Sequence, residues 1–274
     1  MAIKEVFLAL GLASLLLFHV EAHTGFVSFN YAGNGPSNWG NLAAEYKSCS
    51  SGTIQSPINI LQDNATLNTK LHDLSRLYVD ANATLINNGF NVMLKFEKSG
   101  GLLLQDGKNY SLKELHWHAP SEHTIDNQKY PLELQMVHES EEEDGNVAIV
   151  AILYDFGNTD PFLYQLKDWV AQLAKEHCSL DEEIQVPIGP VRTKSLKRHS
   201  RRFFKYVGSL TTPPCTEKVT WYILGKVRKV SKEQVALIKS SLAPEFQNNA
   251  RPIQSSNERN VELYDESKCN PHSQ

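Results

Sequence analysis

The chain has 274 residues, of which 41% are hydrophobic and 21% charged, enough to bury a substantial core within one all-β domain. Its net charge of −4 and pI near 6.2 provide no overall positive field. Nucleic-acid binding is therefore not expected, and any polyanion would need a local basic patch.

Residues 1–22 read as a signal peptide. Lys4 is followed by an apolar run from Val6 to Val20 and by Val20-Glu21-Ala22 as a cleavage pattern. That run is short for a membrane span and no second one follows. The expectation is a soluble mature domain, 23–274, secreted into the extracellular space (the apoplast in a plant). Export makes Cys49, Cys178, Cys215 and Cys269 candidates for disulfides, with three full pairings open. Asn64, Asn82 and Asn109 each head an Asn-x-Ser/Thr glycosylation acceptor.

Gly33 to Gly40 and Cys49 to Ser56 are rich in Gly, Ser, Asn and Pro and predict loops. Short β-rich runs then recur between turn signals at Ala83–Ile86, Asn91–Phe96, Leu102–Gln105, Leu115–His118, Leu132–His138 and Val147–Tyr154. Asp160-Pro161 predicts a helix start, with Phe162, Leu163, Leu166, Trp169, Val170 and Leu173 at helical spacing as the sheet-facing stripe. Arg192 to Lys205 is strongly basic, ordinarily the mark of a solvated face. Further strands are expected at Phe203–Val207 and Val219–Val227, and Ser231-Lys-Glu-Gln234 is a capping box that opens a second helix. No repeat or second-domain boundary is visible.

The stretch from Leu115 to Ser140 carries His116, His118, His123 and His138. Alternate residues of a strand share a face, so His116 and His118 form a candidate metal-ligand pair, or else a polar pair on a solvated edge.

The motifs Gln55-Ser-Pro-Ile-Asn-Ile60, Asn87-Asn-Gly89, His116-Trp-His118, Ser121-Glu-His123, Glu133-Leu-Gln-Met-Val-His138, Gly208-Ser-Leu-Thr-Thr-Pro-Pro-Cys215, Val219-Thr-Trp221 and Asn249-Ala-Arg-Pro252 occur in this order. Together they resemble the α-carbonic anhydrases from about Tyr31 to Tyr264, the plant secreted branch most closely. The resemblance implies one mostly β domain with peripheral helices, a central, mostly antiparallel sheet of about ten strands, and a conical cavity holding zinc.

In that family three histidines hold zinc, whose bound hydroxide attacks carbon dioxide. His116 and His118 match two of them, while Gln135 stands at the third position. Strand parity places Glu133, Gln135 and Val137 on one face and Leu134, Met136 and His138 on the other, so His138 is no substitute. An amide oxygen is a weaker donor than imidazole, which leaves zinc weakly held, partly held or absent. Phe90 replaces the usual proton-shuttling histidine. The resemblance further implies that Thr211 accepts from the zinc-bound hydroxide and Glu122 orients Thr211. It makes Val137, Ile149, Leu210, Val219 and Trp221 the apolar wall, with Tyr31 and Thr212 beside the pocket. Glu114 stands where many members have glutamine, and Cys49–Cys215 matches a common disulfide.

The expected function is a secreted carbonic-anhydrase-like enzyme with impaired hydration, repurposed for acid/base or condensation chemistry on a small molecule in specialised metabolism such as alkaloid synthesis. The alternatives are a slow zinc carbonic anhydrase and a dioscorin-like storage protein.

Overall fold

The computed structural model describes residues 28–32, 35–142, 144–175 and 183–269. Residues 1–22, read above as a signal peptide, and Cys178 lie outside the described residues. A mixed sheet of 13 strands dominates them, with a small sheet of 3 strands beside it. Ten strands form one path of neighbours: Ile184–Val191, Ala81–Asn87, Val92–Phe96, Lys108–His118, Leu132–Ser140, Val147–Phe156, Glu217–Leu224, Arg202–Ser209, Glu262–Asp265 and Thr66–Leu67. Ser75–Tyr78, Gly101–Gln105 and Arg228–Val230 attach to its side and bring the total above the ten expected. Most pairings are antiparallel. Val147–Phe156 pairs in parallel with Glu217–Leu224 and Arg228–Val230, and Glu262–Asp265 with Thr66–Leu67.

Val147–Phe156 is buried on both sides, which explains its nearly unbroken apolar sequence. Ala148, Val150, Ile152 and Tyr154 enter the larger core. Ile149, Ala151 and Leu153 enter a second core on the opposite face. The helix Pro161–Leu173 covers the first face with Phe162, Leu163, Leu166, Val170 and Leu173. Asp160 caps it by accepting from the Phe162 and Leu163 amides. Ser231 and Gln234 complete the capping box of the helix Lys232–Ser240.

Two local expectations change, and one strand is added to those expected. Trp169 is not core: the helix turns it outward, 36% exposed, because Leu166, Val170 and Leu173 already fill the stripe. A helical turn, Ser48–Ser51, opens the segment expected to be loop. Ile184–Val191 is a strand despite Pro187 and Pro190; it ends the path of neighbours, where missing amide donors cost least, and its register shifts beside Gly189. Among the described residues no helix is long and apolar enough to cross a membrane.

Candidate functional site

The candidate site lies on the sheet face opposite the two helices. Leu115 and Trp117 point into the larger core, which turns His116 and His118 the other way. Gln135 is directly opposite His116 in the register, Glu133 opposite His118 and Val137 opposite Glu114. The pairing shifts beyond Val137, so that His138 faces Leu112.

His138 sits behind the sheet. Its Nδ1 donates to the Ala148 carbonyl at 3.1 Å, and its Nε2 accepts from the Tyr78 hydroxyl at 2.8 Å. Burial pushes its pKa down to about 3.

Gln135 is fully engaged. Its Nε2 donates to Glu122 Oε2 at 2.8 Å and to Glu133 Oε1 at 3.0 Å. Carboxylates accept, so the NH2 group faces them and Oε1 faces His116 Nε2 at 3.0 Å. An amide oxygen can only accept, so His116 Nε2 carries the proton. Its Nδ1 lies 3.3 Å from Glu114 Oε1 without a well-directed hydrogen bond. Burial opposes charge on His116, but Glu114 and Gln135 outweigh it and raise the pKa. Burial also opposes charge on Glu114, whose pKa the neighbouring His116 lowers.

His118 is poised oppositely. Its Nδ1 donates to the Asn249 carbonyl at 2.6 Å, so the neutral ring keeps its lone pair on Nε2. That nitrogen is buried without a hydrogen bond, 3.5 Å from Glu122 Oε2. Burial lowers the His118 pKa and favours the neutral ring. The two imidazoles meet edge to face at 5.2 Å.

Glu133 supports the centre. Its Oε2 accepts from the Glu122 and His123 amides at 2.9 and 2.8 Å, and its Oε1 from His123 Nδ1 at 2.8 Å. Burial would raise its pKa, but His123 and the amides hold it down at about 2. His123 Nε2 then accepts from Tyr206 at 2.6 Å, and Tyr206 meets Ser56 at 2.9 Å. Glu122 Oε1 accepts from the Arg251 amide at 2.9 Å. Among the described residues no hydrogen bond joins Thr211 to Glu122; Gln135 and Arg251 occupy that carboxylate. Thr211 is buried and Thr212 half-buried on the loop that the Cys49–Cys215 disulfide ties down.

Ile149, Val219 and Trp221 belong to the second core, and Val137 and Leu210 pack against it half-buried. Phe90 packs on Phe29 at 4.9 Å. Tyr31 leans on Trp39, and its hydroxyl is buried without a hydrogen bond. Burial, then the nearby Glu122, push the Tyr31 pKa far up. Asn64, Asn82 and Asn109 are all exposed, and Cys269 is free among the described residues.

Sequence reasoning assigned no role to Asn249, His123, Tyr206 or Arg251. Asn249 holds His118 through its carbonyl and Ala119 through its side chain. Arg251 reaches Gln55, Ser56 and Cys49. The signal for His123, Asn249 and Arg251 lay in the Ser-Glu-His and Asn-Ala-Arg-Pro motifs, while Tyr206 lies in neither.

The pattern of the eukaryotic-type carbonic anhydrases matches residues 34–265. The chain belongs to that family. It is 38% identical over 266 residues to alpha carbonic anhydrase 7 of Arabidopsis thaliana, covering 96% of this chain and 94% of the relative. Dioscorin DB3L of Dioscorea polystachya is 40% identical over 238 residues, covering 86% and 85%. A crystal structure of dioscorin complexed with ascorbate superposes with a TM-score of 0.81 at 37% identity, covering 87% of this chain and 98% of the other. The α-carbonic anhydrase of Thermovibrio ammonificans, complexed with sulfanilamide, gives 0.75 at 30% identity, covering 87% and 100%.

Carbonic anhydrases of this family are zinc enzymes, and a zinc site of their kind needs three nitrogen lone pairs. The residues here do not fit one. His116 Nε2 is a proton donor to Gln135, and the residue opposite it in the register is a neutral amide. Among the described residues no three His, Cys, Asp or Glu side chains are grouped as metal ligands.

Proposed function

We propose that this carbonic-anhydrase-family chain catalyses proton transfer and carbon–carbon condensation on a small carbonyl compound, with its own imidazoles in place of a metal centre. One observation carries the reading: His116 Nε2 is a hydrogen-bond donor to Gln135, while His118 Nε2 beside it is an unpartnered acceptor. Two like groups held in opposite states by their surroundings are the arrangement general acid/base catalysis needs.

In this reading the substrate's α-carbon proton passes to His118 Nε2. The developing enolate oxygen takes the His116 Nε2–H hydrogen bond in competition with Gln135 Oε1. The enolate carbon then adds to an imine carbon, and the imine nitrogen receives the proton from His118. One C–H and one C=N become one C–C and one N–H. Phe90 and the wall of Val137, Leu210 and Trp221 suit an organic substrate. The wider expectation is a secreted protein of specialised, alkaloid-type metabolism.

The test is α-proton exchange. Wild-type protein in D2O should label a β-keto acid probe at the α-carbon, by NMR, and join it to a cyclic imine, by mass spectrometry. His118→Gln should abolish both. Wild-type protein that leaves the probe unlabelled overturns the reading.

The likeness to dioscorins favours a second reading, a storage protein of dioscorin type. Failure of exchange in folded protein that accumulates to high abundance in a storage tissue would favour it. A slow zinc carbonic anhydrase predicts stoichiometric zinc in the purified protein together with measurable hydration.

A further inference from the structure

The basic run Arg192 to Lys205 has no part in the site described above, and the fold turns it into a surface with shape. It contains seven Arg or Lys and no acid in a chain whose net charge is −4. Its segment 193–200 lies over the buried guanidinium of Arg76 and the half-buried one of Arg228. Arg228 donates to the Ser195 carbonyl, and Arg76 donates to the Leu196 and Arg198 carbonyls. The carbonyls thus point inward and the cationic side chains outward.

Two adjoining hollows result. One, of about 380 Å³, is lined by Pro161, Gln165, Arg192, Lys194, Ser195 and Arg198. The other, of about 50 Å³, shares Ser195 and Arg198 and adds Arg76, His199, Lys226 and Arg228. Neither is lined by an Asp or Glu. Of the acids beside the segment, Asp160 is engaged by Arg228, Asp73 and Glu266 by His199, and Asp80 accepts from the Thr193 amide. Arg192, Lys194, Arg198 and Lys226 are exposed and form no ion pair among the described residues. Arg76 is only 6% exposed, and its Nε has no hydrogen-bond partner.

We propose that these two hollows form a binding site for an acidic polysaccharide, the larger hollow taking a sugar ring and the smaller an anionic substituent of the same chain. Two adjoining cationic hollows with unpaired side chains call for several anions on one ligand. Ser195 and the second N–H of Gln165, whose amide otherwise holds the Arg192 backbone, offer the groups that sugar hydroxyls pair with. No Phe, Tyr or Trp lines either hollow, and the one ring present, His199, is held between Asp73 and Glu266, so the stacking platform of single-stranded nucleic-acid sites is missing.

The test is titration of the full mature chain with polygalacturonate across a range of sodium chloride concentrations, with neutral dextran as control. Wild type should bind polygalacturonate, more weakly as salt rises, and ignore dextran. The triple variant Lys194→Ser, Arg198→Ser, Lys226→Ser should bind at least ~10-fold more weakly, because opposite charges in reach of one polyanion are lost together. It removes only exposed side chains and leaves the Arg198 carbonyl for Arg76. Arg198→Ser alone, which touches both hollows, should give part of that loss if the triple variant does not fold. A control triple of equal charge, Lys47→Ser, Lys70→Ser, Lys129→Ser, should bind as wild type. Equal loss in both triples, no binding by wild type, or tighter binding of a single-stranded polynucleotide overturns the proposal.

Discussion

Gln135 Oε1 accepts from His116 Nε2 at 3.0 Å. At this one contact an imidazole nitrogen that could ligate a metal is instead a proton donor. The two carboxylates on the other side of the amide, Glu122 and Glu133, fix its orientation.

Gln135→His replaces that amide by a third imidazole. Zinc content after purification should rise by roughly 10-fold or more, the scale on which ligand-shell changes act. Carbon dioxide hydration, measured by stopped flow, should appear and should depend on buffer concentration, since Phe90 offers no titratable group to export the proton. Unchanged metal content would show that Gln135 is not what keeps a metal from this site.

Glu133→Gln brings an NH2 group to face the donors His123 Nδ1 and Gln135 Nε2, where Oε1 now accepts from both. A buried centre with opposed donors should lose on the order of 3 kcal/mol of stability. Urea unfolding should move to a lower midpoint with unchanged slope. A midpoint equal to that of wild type would mean that Glu133 does not brace the site.

His138 gives the chain an acid sensitivity of defined sign. Its pKa in the folded state, about 3, lies below the ordinary histidine value of 6.5. Below pH 6.5 the unfolded chain takes up a proton that the folded chain refuses. Stability is therefore complete above that pH and falls by up to about 1.4 kcal/mol per pH unit as pH drops towards 3. His138→Asn should remove this component: its unfolding free energy should change less between pH 7.5 and 4.5 than that of wild type. Parallel curves would refute it.

The Cys49–Cys215 bond closes a loop with a sequence separation of 166. Chain entropy alone assigns such a closure about 5 kcal/mol. Reduction should lower the unfolding midpoint sharply and loosen the Thr211–Thr212 loop, seen as faster amide exchange there. A midpoint indifferent to reductant would contradict it.

Much of the fold was legible because short-range rules are strong here. The capping residues Asp160 and Ser231 announce both helices, and the unbroken apolar run at Val147–Tyr154 announces a strand buried on two sides. The family motifs fix the rest of the outline. Ile184–Val191 and Glu262–Asp265 stayed hidden because each is a strand only by virtue of its neighbour. Trp169 misled because helical spacing marks a stripe without saying how wide the covered face is.

The sequence by itself determined which side chains share a strand face, because alternation is a local property of the backbone. From it follow the pairing of His116 with His118 and the separation of Gln135 from His138, while which of the two faces meets the site came from the family resemblance. Only the tertiary structure decided the direction of each proton. The Asn249 carbonyl reaches His118 from 131 positions away, and Glu122 holds Gln135 from another segment. Hydrogen-bond polarity is set by such partners, and no local pattern in the chain records it.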